Sequence, residues 1–496
     1  MGYTYGAFFV DGAWKQASGP ETIEVLSPFT EEVCGSVPAA TAADVSAAVA
    51  AARAAFDGGP WRSASPAERS AACRRLAEIL RGRADELATV MTEETGFSIN
   101  VSRGYQAAVP PVQLDYYAAL AETQEWERRQ RSAFGNTLVA LEPVGVVVAI
   151  VPWNVPFALA VQKAAPALIA GCSVILKAPP AAPLSCFMLA DAVADAGFPP
   201  GVFNLLAAGP RESELLVSHP GVDKVSFTGS TQVGQRIAEI CGGSGRRVAL
   251  ELGGKAPAVI LDDADLDLAV AGIVAASVTG SYGQTCTAQS RVLAPRRDYA
   301  GVVGRLCEAL AALRIGDPMD PDVQVGPLVT AEHRDRVEHY VTAGRKEGAR
   351  LVAGGTRPRA FTHGYFLEPA LFADVTPDMR IFQEEIFGPV LTVTPHDGTD
   401  DAVALANNSA FGLSATVFGT DSRAALDVAR RIRAGTVALN AYTVDITAPF
   451  GGLKQSGVGR EMGREGLLEY LEPKSISLQP DGDYAAIISV PPDGAP

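Results

Sequence analysis

The chain has only 7 cysteines in 496 residues, and no two are spaced C-x-x-C. That excludes a disulfide framework and a zinc site of regular spacing, and it points to free thiols in a reducing compartment. Long hydrophobic runs are also missing. The longest, 144–153, is too short to cross a bilayer. Residues 1–12 lack a basic segment followed by an apolar core, so no secretory leader is expected and a cytoplasmic location is. Positive charge is in deficit. With 41 Lys and Arg against 56 Asp and Glu, the net charge is −15, spread along the chain. Neither nucleic acid nor an anionic membrane is an expected partner. Histidine is scarce, with 5 residues, and none sits in a motif. No G-x-G-x-x-G follows a strand-like segment, so the usual dinucleotide fingerprint is absent. No metal is expected.

What is present is an ordinary globular composition, 48% hydrophobic and 20% charged. Its length exceeds what one core serves, so two or three domains are expected. Segments 7–11 and 21–27 read as short strands around an Asp11-Gly12 turn. Helical spacing covers 41–56. Ser65-Pro66-Ala67-Glu68 has the form of a helix start, and apolar residues from Leu76 to Val90 carry that helix toward Gly96. Another helix is expected over 101–121. Segment 126–142 is basic and reads as a projecting hairpin turning at Gly135-Asn136, an edge that a subunit contact would cover. From 144 the pattern is α/β. Strands at 144–151, 173–177, 202–206 and 224–228 alternate with helices at 157–170, 184–196, 212–218 and 233–241. From 255 the alternation resumes, with strands near 258–261, 291–294, 390–393 and 436–440. This spacing argues doubly wound sheets. The tail from Gln479 carries Pro491, Pro492 and Pro496 and is expected to be loosely held.

Four constellations carry chemistry. Cys286 lies in the polar turn Gly283-Gln284-Thr285-Cys286-Thr287-Ala288-Gln289, between an apolar helix-like segment and a strand. A nucleophile belongs in such a place, although a single cysteine is more often a small buried hydrophobe. Val151-Pro152-Trp153-Asn154-Val155-Pro156-Phe157 sits at the C-terminal end of an apolar strand, where doubly wound folds bind ligands. Asn154 there is either an oxyanion donor or a side chain satisfying its own turn. Glu251, in Leu250-Glu251-Leu252-Gly253-Gly254-Lys255, is a carboxylate at an apolar strand end. It is either a general base of raised pKa or a partner of a nearby lysine. Phe227-Thr228-Gly229-Ser230 joins a strand to a helix start that could hold a phosphate, and Lys177 ends another strand.

Pro152 to Phe157, Leu250 to Lys255, Gly283 to Cys286, Glu384-Glu385-Ile386-Phe387-Gly388-Pro389 and Pro449-Phe450-Gly451-Gly452-Leu453-Lys454-Gln455-Ser456-Gly457 together resemble the NAD(P)-dependent aldehyde dehydrogenase superfamily. Order and separation match as well, over roughly 8–478. The resemblance implies an α/β fold of two doubly wound domains with a small β bridging element. The NAD(P)-binding domain would take 1–124 and 143–253, the catalytic domain 254–467, the bridging element 125–142 and 468–482, and the loose tail 483–496. Cys286 would be the nucleophile, Asn154 with the Cys286 N–H the oxyanion hole, and Glu251 the base that activates the hydrolytic water. Val151, Pro152, Trp153, Lys177, Gly209, Phe227, Gly229, Ser230, Leu252, Glu385 and Phe387 would contact the cofactor. Phe157, Leu159, Gln162, Gln289, Val444 and Asp445 are candidates for the substrate wall. Family members are dimers or tetramers, so a homodimer or homotetramer is expected.

The chain departs from the family pattern in three places. After Lys177 the run Ala178-Pro179-Pro180-Ala181-Ala182-Pro183 has no carboxylate, so NAD is expected to be favoured with NADP accepted. Cys286 has no neighbouring cysteine to shield it, so oxidative inactivation is expected there. The loop 442–448 offers Val444, Asp445 and Ile446 where an aromatic is common. The rival activities are a CoA-acylating semialdehyde dehydrogenase, which generally lacks the glutamate at position 251, and a non-catalytic binding or structural protein on the same fold.

Overall fold

The structure, a computed structural model, describes residues 2–478. The expected tail 483–496 and the end of the bridging element, 479–482, lie outside the described residues. Two sheets organise the rest. The first has six strands in the order Phe203–Ala207, Ser173–Ala178, Val146–Ile150, Lys224–Thr228, Arg247–Glu251 and Gly457–Val458. All neighbours are parallel except the last pair. Val146–Ile150 is buried along its whole length, as a strand covered on both faces must be, and this explains its unbroken apolar run. The chain winds outward from this strand in one direction and then in the other. The reversal falls between Val146–Ile150 and Lys224–Thr228.

The second sheet has seven strands: Arg350–Ala353, Ala370–Ala373, Val390–His396, Arg291–Pro295, Pro257–Ile260, Ser414–Phe418 and Thr436–Leu439. Only Arg350–Ala353 runs antiparallel to its neighbour. The two sheets have separate hydrophobic clusters. One gathers residues from Phe8 to Leu252 with Leu467, Tyr470 and Leu471; the other gathers Phe97 and residues from Ala258 to Ile432. The pairing of Gly457–Val458 with Arg247–Glu251 carries the end of the second half back onto the first sheet.

Several local expectations needed correction. Ala7–Val10 pairs across Asp11-Gly12 with Ala13–Gln16, and Thr22–Leu26 pairs instead with Val33–Pro38. The helix begun at Pro66 stops at Gly82, and Ala84–Thr95 is a second helix ending on Gly96. Its polar Arg81-Gly82-Arg83 joint leaves the apolar spacing intact, which is why the pattern read as continuous. Residues 101–121 include a wider π-helical segment, Ser102–Ala107, ahead of Val109–Thr123. The projecting hairpin pairs Glu127–Ser132 with Gly135–Pro143, and Ala133-Phe134 form its turn rather than Gly135-Asn136. Leu471–Leu478 adds a third strand on the other side.

Candidate active site

The first sheet positions one edge of the site. Val151, Pro152, Trp153 and Asn154 follow Val146–Ile150, and Gly229 and Ser230 follow Lys224–Thr228, so both groups flank the reversal of strand order. Ligands of doubly wound sheets bind at that crevice. Ser230 caps the helix Thr231–Gly243, accepting from Val233 N at 3.4 Å. A Cβ at Gly229 would lie 2.5 Å from the Phe227 ring, so only glycine lets the turn sit this close to the ring. The first backbone N–H groups of that helix are left for an anion. Lys177 is buried at the end of its strand, and burial lowers its ammonium to about 8. Gly209 precedes the helix Pro210–Ser218. These features make a cradle fitted to a dinucleotide phosphate and ribose. Val151 and Leu252 are buried in the core beneath it.

The thiol comes from the second half. A Cβ at Gly254 would lie 2.1 Å from the Cys286 carbonyl oxygen, so the double glycine lets the Glu251 strand pass directly against the cysteine turn. Glu385 accepts from Gly254 N at 2.8 Å, and burial raises its carboxyl to about 7. Cys286 is half-buried, and desolvation, then the charges of Glu385 and Glu251, push its thiol up to about 12. Its own N–H and the Thr285 side chain favour the thiolate. Asn154 is buried and donates from Nδ2 to the Gln284 carbonyl at 2.9 Å, which ties the amide to the cysteine turn and leaves its second hydrogen available. Glu251 is buried, and among the described residues neither carboxylate oxygen has a hydrogen-bond partner. Desolvation and the Glu461 charge hold its pKa well above the ordinary value, while Lys163 and Arg460 oppose them. A buried orphan carboxylate is costly to the fold, and that cost marks Glu251 as a candidate functional group.

The structure brings Cys286, Asn154 and Glu251 together but divides the candidates for the substrate wall. Val444 packs on the cluster that touches Cys286. Phe157 belongs to the first core, fully buried, and Leu159 is half-buried against that core. Gln162 is bonded to Gln113 and Glu461, and Gln289 donates to the Thr287 carbonyl at 2.9 Å. Asp445 is exposed, its carboxylate taken by the Thr447 N–H and hydroxyl. Alternation decides this last case, since Val444 and Ile446 turn inward and the residue between them turns out.

Three groups escaped the sequence reading. His333 joins Trp153 and Phe387 in an edge-to-face aromatic trio, its Nε2 2.7 Å from the Phe387 carbonyl. Burial lowers its pKa to about 4, so the ring is neutral. Lys163 and Glu461 form a buried ion pair behind Glu251. Tyr105 and Tyr442 lie close enough to Cys286 for its charge to raise their pKa values, after desolvation. Each partner is remote in the chain, and nothing in local spacing announces it.

A thiol held between a tethered amide and an orphaned carboxylate, beside the crevice where the strand order reverses, is an arrangement suited to an enzyme that forms a covalent cysteine intermediate next to a bound nucleotide. A sequence model of the Aldehyde dehydrogenase family matches residues 14–476, and the chain belongs to that family. It is 44% identical to the geranial dehydrogenase of Castellaniella defragrans over 471 residues, 95% of this chain and 98% of that one. An aldehyde dehydrogenase of Mycobacterium tuberculosis, complexed with NAD+, superposes with a TM-score of 0.95 at 42% identity, covering 97% of this chain and all of that one. A mutant of aldehyde dehydrogenase C from Pseudomonas syringae, with NAD+ and octanal, superposes with a TM-score of 0.92 at 40% identity over 95% and 96%. The enzyme oxidises an aldehyde to a carboxylic acid with NAD. Among the described residues no helix is long and apolar enough to cross a membrane, and no group of three or more His, Cys, Asp or Glu could hold a metal.

Proposed function

We propose that Cys286, Asn154 and Glu251 carry the aldehyde oxidation as nucleophile, oxyanion donor and general base. The observation that carries this reading is the orphaned, buried Glu251 carboxylate beside the Cys286 turn. The Cys286 thiol loses its proton to solvent and, as thiolate, attacks the aldehyde carbon, whose carbonyl oxygen becomes an oxyanion. The free Asn154 amide hydrogen and the Cys286 N–H stabilise it. Bound nicotinamide supplies the hydride acceptor, and the thiohemiacetal becomes a thioester. Glu251 then removes a proton from water, the hydroxide adds to the thioester, and the Cys286 thiolate leaves as the acid forms. The direction of the Glu251 shift strengthens its ionised carboxylate as a base.

In this reading residues 1–124 and 143–253 bind the cofactor and 254–467 carry the thiol. Gly229 and Ser230 would hold the pyrophosphate and Lys177 the adenosine ribose, with Gly209 at the adenine end. Glu385 would hold the nicotinamide ribose, with Phe387 and Trp153 flanking the ring. NADP is accepted less well than NAD. Supporting this, 178–183 has no carboxylate, and the buried Glu94 carboxylate is taken by the N–H groups of Leu184 and Ser185. The chain forms a homodimer or homotetramer through the hairpin of the bridging element, whose Phe134 tip is fully exposed. The location is cytoplasmic, in keeping with seven free cysteines.

The test is production of reduced nicotinamide from a panel of aliphatic, aromatic and charged aldehydes, with NAD and without CoA. Turnover is expected; turnover that appears only when CoA is added would move the reading to acyl transfer.

A further inference from the structure

Beside the thiol the chain builds an apolar wall. Leu413, Phe450 and Met462 form one buried cluster, and Cys286, Val444 and Ile446 pack against it. Met462 is the anomaly in that wall. Its backbone lies at φ 59 and ψ 174, a region that essentially only glycine occupies without strain. The conformation is over-determined from both sides. Before it, Glu461 and Phe450 exchange N–H···O bonds of 2.7 Å in both directions. After it, Gly463 N donates to the Ile446 carbonyl at 3.1 Å, and the Met462 carbonyl accepts from Gly466 N at 2.8 Å. The chain therefore holds a long thioether where glycine would fit unstrained, and directs it into the cluster that touches Cys286. Tyr105 and Tyr442, both half-buried, also come near the thiol. The charges felt by the thiol are those of Glu385 and Glu251, which the mechanism already uses. On the loop that carries Val444 and Ile446, Asp445 is exposed and bonded to Thr447, and Glu465 is exposed as well. A charge on the substrate would be desolvated against the apolar side chains of this wall, which offer it no hydrogen bond.

Resting on the reading of Cys286 as nucleophile, we propose that this wall receives the chain of an uncharged, apolar aldehyde. Met462 is a specificity-determining residue: the strain in its backbone holds a flexible apolar side chain against the acyl group. Methionine suits that task because its unbranched, polarisable side chain adapts to varied shapes.

The experiment measures kcat/KM with NAD for octanal, acetaldehyde and the permanent cation betaine aldehyde. The wild type is expected to favour octanal over betaine aldehyde by about a hundredfold, and Met462→Gly and Val444→Ala each to lower the octanal-to-acetaldehyde ratio about tenfold. Met462→Leu, close in volume, is expected to hold that ratio within about threefold of the wild type. A preference for the cation, or a ratio unchanged in both truncations, overturns the proposal. Should Met462→Gly fail to fold, the Val444→Ala ratio decides alone. Oxidation of acetaldehyde or betaine aldehyde without octanal sinks the apolar class and leaves the dehydrogenase chemistry standing. A wild type that oxidises no aldehyde removes the reading of Cys286 as well.

Discussion

The central strands of the first sheet and the loops around Cys286 obey opposite rules. Val146–Ile150 and Ser173–Ala178 are buried residue by residue, with their backbone groups in parallel ladders and, Ser173 and Lys177 apart, their side chains in one apolar core. Around the thiol, several buried polar atoms have no hydrogen-bond partner among the described residues: both Glu251 oxygens, Asn154 Oδ1, Gln284 Nε2 and Lys255 Nζ. Non-glycine residues there also take left-handed backbone, at Tyr282, Phe387 and Met462. The sheet supplies stability, and the loops draw on it to hold groups in states that water or relaxation would otherwise remove.

Separating stability from chemistry sharpens that comparison. The largest effect is expected from Cys286→Ala, which abolishes turnover while leaving the thermal midpoint unchanged or higher; residual turnover in the purified variant would break the contrast. Asn154→Ala comes next, lowering kcat by about a hundredfold to a thousandfold through loss of one oxyanion donor. Steady-state kinetics at saturating substrate check it, and a change confined to KM would argue against the donor role. Ile175→Ala reverses the pattern. It opens a cavity in a fully buried strand and costs about 2 to 5 kcal/mol in denaturant unfolding, with kcat per folded molecule little changed. The smallest effect concerns the cofactor. kcat/KM with NAD is expected to exceed that with NADP by less than about a thousandfold, or roughly 4 kcal/mol. A larger gap would mean that some group other than a carboxylate in 178–183 excludes the 2′-phosphate.

The same contrast explains what could be read from the chain. The strands and helices from Val146 to Gly243 were legible because burial on both faces imposes unbroken apolar runs, and caps such as Ser65 and Glu68 act within four residues. Cys286, Asn154 and Glu251, the residues proposed for the chemistry, are singled out by the motifs around them. Their companions are not. The pairing of Lys163 with Glu461 and the packing of His333 on Trp153 join residues far apart in the chain, and no periodicity encodes them. Phe157, a candidate for the substrate wall, is instead buried in the first core from the first turn of its helix. Asp445 looked like part of the wall because of its loop, and the alternation of that loop turned it to solvent.

The most direct test of the central claim is a rapid-mixing measurement of reduced nicotinamide with Glu251→Gln. If Cys286 acylates and Glu251 serves only the hydrolysis, the variant gives a burst of about one equivalent per site followed by slow turnover, and Cys286→Ala gives no burst. A Glu251→Gln enzyme that turns over at the wild-type rate, or a burst that survives in Cys286→Ala, would contradict the account.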